Sequence, residues 1–260
     1  MVLKTYVINL EKSLVRRQYM EDLLAPYSFL DIEFVKAVDG RQMTEEERNA
    51  RFDFAGCQKM YGRSLNSGEI GCALSHRIAC KKVLEGNSPY ALILEDDISI
   101  LKDLSKLNIE EIKTVLDHPS PRVLMLSGDY SYYKRKSIVR LYSAVGAYAY
   151  IINKAAANRI LSIDPPCCVA DDWMFYKRKG IKLYAVYPYM VDANTNMELL
   201  SSDVKQDSWG IDRKKMSPKE IILGAFAGIV KKLFKLTGHF ESKVRIIDNM
   251  IVEKKNNLFK

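Results

Sequence analysis

Apolar positions along this chain fall into two rhythms, and their alternation lays out the elements. Residues 4–10 form a short, nearly continuous apolar run closed by Asn9, which predicts a strand. Ser13 then stands where an N-cap belongs, for a helix through about Ala25 with Leu14, Tyr19, Leu23 and Leu24 facing inward and Arg16, Arg17 and Gln18 on the polar side. Residues 31–40 alternate and stop on the turn pair Asp39-Gly40. The glutamates after Thr44 favour a helix start, because acidic groups complement the positive end of the helix dipole. Residues 90–94 show no polar alternation at all, the pattern of a strand covered on both faces in the middle of a sheet. Residues 104–116 suit an amphipathic helix, 122–127 another buried strand, 145–152 a further strand leading into a helix over 153–161, and 182–188 a last strand. Strands alternating with helices at these connection lengths predict an α/β sandwich with a mainly parallel sheet.

Composition sharpens this picture at the C-terminal end. A chain of 260 residues, 48% hydrophobic and 28% charged, fits one large domain or one domain with an appendage. The net charge of +8 is carried entirely from Arg213 onward, where 12 basic residues face 4 acidic ones. This divides the chain into a neutral body, 1–212, and a basic segment, 213–260. Within that segment residues 217–236 are apolar around much of a helix, with Lys231, Lys232 and Lys235 at its end. That pattern suits an interfacial helix on an anionic membrane; a helix docked back on the body with its lysines solvated is the alternative. The lysines have no interleaved aromatics, which speaks against nucleic acid. No run reaches the roughly 18–20 apolar residues of a membrane span, and neither a signal peptide nor a signal anchor is expected. The five cysteines lack metal-finger spacing, and the adjacent Cys167 and Cys168 suit no disulfide framework. They read as reduced thiols of a cytoplasmic protein.

The chemistry begins where the central run ends in acid. Glu95, Asp96 and Asp97 repel one another at the edge of a core, and a bound divalent cation relieves that repulsion. Open α/β sheets bind ligands at the carboxyl ends of their strands. A solvated acidic turn that merely stops the strand is the other reading. Residues 65–76 combine Gly68, Glu69, Gly71, Ser75 and His76 ahead of a helix-compatible stretch over 73–85. The spacing is neither a Walker loop nor a dinucleotide fingerprint, and taken alone it marks a tight bend and a structural histidine. Asp171 and Asp172 stand at the apparent start of a late helix, after the break at Pro165-Pro166.

Taken in order, Ile8-Asn9-Leu10 with Arg16-Arg17, Ala37-Val38-Asp39-Gly40, the Gly68 to His76 stretch, the 91–97 run, 146–152 with Ala155-Ala156, and Asp171-Asp172 resemble glycosyltransferase family 25. The resemblance runs from about Thr5 to about Asp192. It implies a GT-A-type nucleotide-binding sandwich, beyond which the basic helical C-terminal segment read above from charge and pattern is appended. The implied activity is inverting, metal-dependent transfer of galactose from UDP-galactose to a lipooligosaccharide or lipopolysaccharide outer-core acceptor, in β-1,4 linkage, at the inner face of the cytoplasmic membrane. UDP-glucose or UDP-N-acetylhexosamine as donor, and a non-enzymatic nucleic-acid-binding protein, are the alternatives. By this resemblance Glu95 to Asp97 stands where the fold keeps its Asp-x-Asp motif. Glu95 and Asp97, two apart on an extended chain, point the same way and form the pair for Mn²⁺ or Mg²⁺, with Asp96 nearer the ribose or sugar. Asn9, Ala37, Val38 and Asp39 lie beside the uridine and Arg16 or Arg17 reaches phosphate, although the arginines also read as a solvated helix face. Glu69, Ser75 and His76 border the donor. Asp171 or Asp172, with Asp172 preferred, is the base that deprotonates the acceptor, one of the two serving as an N-cap.

Overall fold

The structure is a computed structural model that describes residues 2–194 and 218–242, with side chains in the last part from residue 226. Its centre is a nine-stranded sheet built from β1 (Leu3–Asn9), β2 (Leu30–Lys36), β3 (Tyr90–Glu95), β5 (Arg122–Met125), β6 (Asp129–Tyr132), β7 (Ile138–Val145), β8 (Ala149–Asn153), β9 (Lys182–Val186) and β11 (Phe240–Glu241). The order is β11-β6-β7-β9-β5-β8-β3-β1-β2. Six of these strands run one way, and β7, β8 and β11 run against them. The sheet is therefore mainly parallel in strand direction, with β8 inserted antiparallel between β3 and β5. A second, two-stranded sheet pairs β4 (Ile98–Ile100) with β10 (Val191–Ala193) beyond the end of β3.

Both faces of the central strands are covered, as the unbroken apolar run predicts. On one face α4 (Ser67–Glu85) and α6 (Lys154–Leu161) lay Ala79, Val83, Ala156 and Ile160 over Tyr6, Ile8, Ala91 and Ile93. On the other, α1 (Leu14–Leu24) and α5 (Ile109–Leu116) bring Met20, Leu24, Ile112 and Leu116 onto Leu3, Val7, Leu92 and Leu94. Successive strand residues serve opposite layers, and each fully buried aliphatic side chain contributes about 1.5–3 kcal/mol. The short helices α2 (Glu45–Arg51) and α3 (Phe54–Tyr61) close a smaller cluster around Phe52, Cys57, Ile70 and Leu74.

Several elements differ from the pattern-based reading. The helix over 73–85 starts six residues earlier, at Ser67. Asn66 and Glu69 form a capping box there, each side chain taking the other's backbone N–H. Gly68 and Gly71 are thus inside the helix. At Gly71 a Cβ would stand 2.6 Å from the Val38 carbonyl and 2.8 Å from the Gly40 nitrogen, so the glycine lets α4 press on the loop after β2. The helix expected over 104–116 is a short 3₁₀ turn (Leu104–Lys106) followed by α5, whose N-cap Asn108 accepts the Glu111 N–H. The strand expected over 145–152 is β8, which starts only at Ala149, because Gly146, at φ 88°, turns the chain after the end of β7 at Val145. The β6–β7 hairpin was not anticipated. In α1 Leu14 is 68% exposed and Met20 takes the inward position one turn from Leu24.

The helix expected over 217–236 is α8 (Pro218–Leu236); residues 213–217 and 243–260 lie outside the described residues. After it, β11 pairs antiparallel with β6, and Phe234 stacks on Tyr142 with ring centroids 5.0 Å apart. The segment read as an appendage therefore supplies an edge strand to the main sheet. Among the described residues no helix is long and apolar enough to cross a membrane. All five cysteines are free thiols.

Candidate functional site

The carboxyl ends of β1 and β3 meet at the acidic turn. Asn9, the last residue of β1, donates from its side-chain amide to Asp96 Oδ2 at 2.7 Å. From the first turn of α1, Arg16 Nη1 donates to Asp96 Oδ1 at 2.8 Å and stands 3.5 Å from Asp97 Oδ2. Asp96 is buried, and desolvation raises its pKa, opposed by the Arg16 charge and the Asn9 bond. Both its oxygens are engaged in locking the turn to β1 and α1. In this arrangement Asp96 also positions its neighbours. Arg17 is not at the turn; it pairs with Glu21 on the outer face of α1.

Those neighbours are the open groups. Asp97 Oδ1 is buried and has no hydrogen-bond partner. Its pKa is pushed up to about 7, first by desolvation and then by the Glu95 charge. A buried carboxylate oxygen with no donor beside a second carboxylate is what a divalent cation would satisfy, so Glu95 and Asp97 fit the group that the resemblance implies. Glu95 Oε1 lies 3.1 Å from His76 Nε2, and the other ring nitrogen of His76 is 2.8 Å from the Tyr150 hydroxyl.

Asp171 and Asp172 part company. Asp172 is the N-cap of α7 (Trp173–Arg178): Oδ1 accepts the Phe175 N–H at 2.9 Å and Oδ2 accepts the Tyr61 hydroxyl at 2.8 Å. Asp171 turns toward the acidic group instead. Its Oδ2 accepts the Gly146 N–H at 3.2 Å, and its pKa is raised by desolvation first and also by the Glu95 charge, while His76 acts the other way. The Trp173 indole donates to the Gly146 carbonyl at 2.7 Å, so both backbone groups of Gly146 tie the β7–β8 turn to the start of α7.

Beside the site, Ala37, Val38 and Asp39 follow β2. The Ala37 N–H reaches the Asn9 carbonyl, and the Val38 N–H donates to Ser75 Oγ at 2.8 Å. Ser75 also donates to the Gly71 carbonyl and is 2% exposed, so it braces this loop from behind. Glu69 is likewise engaged elsewhere, by its cap and by Arg63 through two bonds. Asp39 pairs with Lys12 and Arg41, whose charges and hydrogen bonds hold its pKa down to about 2. Sequence reasoning missed Tyr148 and Cys72. The Tyr148 phenol is pushed up to about 12 by desolvation, then by Glu95 and Asp171, which places it among the acids. Its carbonyl accepts the Glu95 N–H. No local signal marks Tyr148, one of 15 tyrosines in the chain.

The arrangement brings together two carboxylates that would suit a divalent cation, a separate carboxylate of raised pKa, and a guanidinium held between two acids. The family model described as glycosyltransferase family 25 (LPS biosynthesis protein) matches residues 2–175, a stretch that includes all these groups. The chain is 24% identical over 267 residues to the lacto-N-neotetraose biosynthesis glycosyltransferase LgtE of Neisseria meningitidis, covering 88% of this chain and 92% of that protein. It is 38% identical over 96 residues to a glycosyltransferase 25 family member of Aedes aegypti, a match that spans 36% of this chain and 16% of that protein. With procollagen galactosyltransferase 1-B of Xenopus laevis it shares 26% identity over 187 residues, 62% of this chain and 28% of that one. The chain belongs to glycosyltransferase family 25.

Proposed function

We propose that this protein is a GT-A-type enzyme that moves galactose from UDP-galactose, with inversion, to a hydroxyl of a lipooligosaccharide or lipopolysaccharide outer core, in β-1,4 linkage. The observation that carries the reading is the unpartnered, buried Oδ1 of Asp97 beside Glu95. The likeness to a procollagen galactosyltransferase supports the sugar, and the family's description as an LPS biosynthesis protein supports the acceptor class. Glu95 and Asp97 would hold a Mn²⁺ or Mg²⁺ ion, whose positive charge would stabilise the departing diphosphate. Asn9 and Arg16 keep Asp96, and through it the turn, in place. The braced backbone of residues 37–39 forms the wall for the nucleoside. Asp171, whose burial and proximity to Glu95 raise its proton affinity, takes the proton of the acceptor hydroxyl. Asp172, occupied by the Phe175 N–H and the Tyr61 hydroxyl, is set aside from that role.

The acceptor class places the enzyme at the inner face of the cytoplasmic membrane, and α8 is the element that touches it. Phe226, Ile229, Leu233 and Leu236 are all more than half exposed and, at 100° per residue, share one side of the helix. Lys231 and Lys235 lie on the other side, over the Phe240 ring. Apolar insertion thus adds to the attraction of the basic segment for anionic lipid, and liposome binding should weaken as salt is raised.

Donor hydrolysis compared across UDP-galactose, UDP-glucose and UDP-N-acetylglucosamine, with Mn²⁺ and after EDTA, tests the reading. Fastest turnover of UDP-galactose, lost on chelation, is expected. Undiminished turnover in EDTA overturns the metal, and preference for another sugar overturns the donor.

A further inference from the structure

Cys72 and His76 are four residues apart on α4, so their side chains leave the same face of the helix one turn apart. That face looks onto the end of β3, where Glu95 stands. The Cys72 thiol, a His76 ring nitrogen and a Glu95 carboxylate oxygen all lie within 4.8 Å of one another. His76 Nδ1 is engaged with the buried Tyr150 hydroxyl, and the two rings stack. The contact fixes the imidazole and leaves Nε2, 3.1 Å from Glu95, as the ligating atom. Cys72 is partly exposed and the Glu95 side chain is 23% exposed, so a cation reaches the group from solvent.

The chemistry of this trio differs from that of the pair beside it. Glu95 and Asp97 offer oxygen alone, which suits hard ions such as Mg²⁺ and Mn²⁺. Sulfur, imidazole nitrogen and one carboxylate oxygen form a donor set for Zn²⁺ or Co²⁺, with two ligands from one helix at i and i+4, a third from another element and a fourth position open. Metal–ligand bonds of about 2.0–2.3 Å set tetrahedral ligand atoms roughly 3.5 Å apart. The three groups therefore close on an ion by side-chain rotation of about an ångström, with no backbone movement. Glu95 belongs to both sets, so an ion bound at Cys72 and His76 competes with the one at Asp97 for its carboxylate.

We propose that Cys72, His76 and Glu95 form a second cation site, selective for a thiophilic ion such as Zn²⁺, which draws Glu95 away from Asp97 and switches the enzyme off. Binding displaces the thiol proton to solvent. The binding half stands on this geometry alone, whereas the inhibitory half rests on the proposed function.

Titration of the full-length protein with Co²⁺ tests the binding half without any sugar donor. One equivalent should bind with a thiolate-to-cobalt charge-transfer band, and Zn²⁺ should abolish the band. Cys72→Ser should remove it and weaken Zn²⁺ binding by at least about tenfold, whereas Cys80→Ser and Asp97→Asn should retain it. In the wild type, Zn²⁺ should protect Cys72 from iodoacetamide as read by peptide mass spectrometry, a measurement independent of how any variant folds. Absence of the band or of the protection, or a band that survives in folded Cys72→Ser, overturns the site. For the inhibitory half, Zn²⁺ should suppress transfer in the presence of excess Mn²⁺, at a concentration raised about tenfold by Cys72→Ser. Equal inhibition of both proteins overturns that half. An inactive preparation leaves the Co²⁺ result standing.

Discussion

Arg16 and Asp96 form a largely buried ion pair across 80 residues of sequence, Nη1 donating to Oδ1 at 2.8 Å with 13% and 10% of the two side chains exposed. The pair joins the first turn of α1 to the carboxyl end of β3, and Asn9 completes it from β1. Because Asp96 is held inward, Glu95 and Asp97 on either side are free to act together.

Removing one member of such a pair leaves the other charge buried without compensation. Arg16→Met should therefore lower the unfolding free energy by about 3 kcal/mol, measured by urea denaturation. Adding Asp96→Asn to that variant should recover part of the loss, since no uncompensated charge remains. A loss below about 1 kcal/mol would place the pair in the class of weak surface contacts.

Asp97 predicts an unusual pH dependence. Its folded pKa of about 7 lies above the ordinary carboxylate value near 3.9, so between those limits the folded state holds a proton that the unfolded chain has lost. Stability of the metal-free protein should then fall as pH rises from about 4 to 7. Asp97→Asn should flatten the slope and raise the melting temperature at pH 7.5 in EDTA, while abolishing the stabilisation that Mn²⁺ gives the wild type. A melting temperature in EDTA that is lower for Asp97→Asn than for the wild type contradicts this account.

The adjacent acids should separate in kinetics. Asp171→Asn is expected to reduce kcat by about 10²–10⁴ with little change in UDP affinity, the signature of a lost general base. Asp172→Ala should instead remove a helix cap, lowering stability by about 1 kcal/mol and leaving kcat within a small factor. The opposite pattern would exchange their roles.

Gly71→Ala tests the contact between α4 and the loop after β2. The added Cβ meets backbone at Val38 and Gly40, and that backbone is held by Ser75 and Asn9, so helix or loop must shift. A loss of about 1–3 kcal/mol and weaker UDP binding are expected from thermal unfolding and calorimetry. Unchanged UDP affinity would detach this loop from the nucleoside.

The sequence by itself determined the central strand, the acidic turn at its end and most of the helices. A strand buried on both faces must be apolar at every position, and three consecutive carboxylates are visible without knowing their neighbours. The start of α4 was misplaced because the glycines at 68 and 71 masked a capping box that Asn66 and Glu69 spell out locally. The β6–β7 hairpin was missed because its mixture of tyrosines, lysines and arginines acquires an inside only through pairing with β9 and β11. The partners of the polar groups were decided by tertiary structure alone. Arg16 carries the pattern of a solvated helix face, yet it turns inward to pair with an acid 80 residues away. Asp171 and Asp172 are chemically identical neighbours, told apart only because Tyr61, 111 residues from Asp172, takes one of its oxygens. Cys72 gains meaning only where α4 crosses the end of β3. Periodicity records which face of an element is apolar, since burial acts over whole faces. Hydrogen bonds and ion pairs act over about 3 Å between residues remote in sequence, and only the packed chain sets those distances.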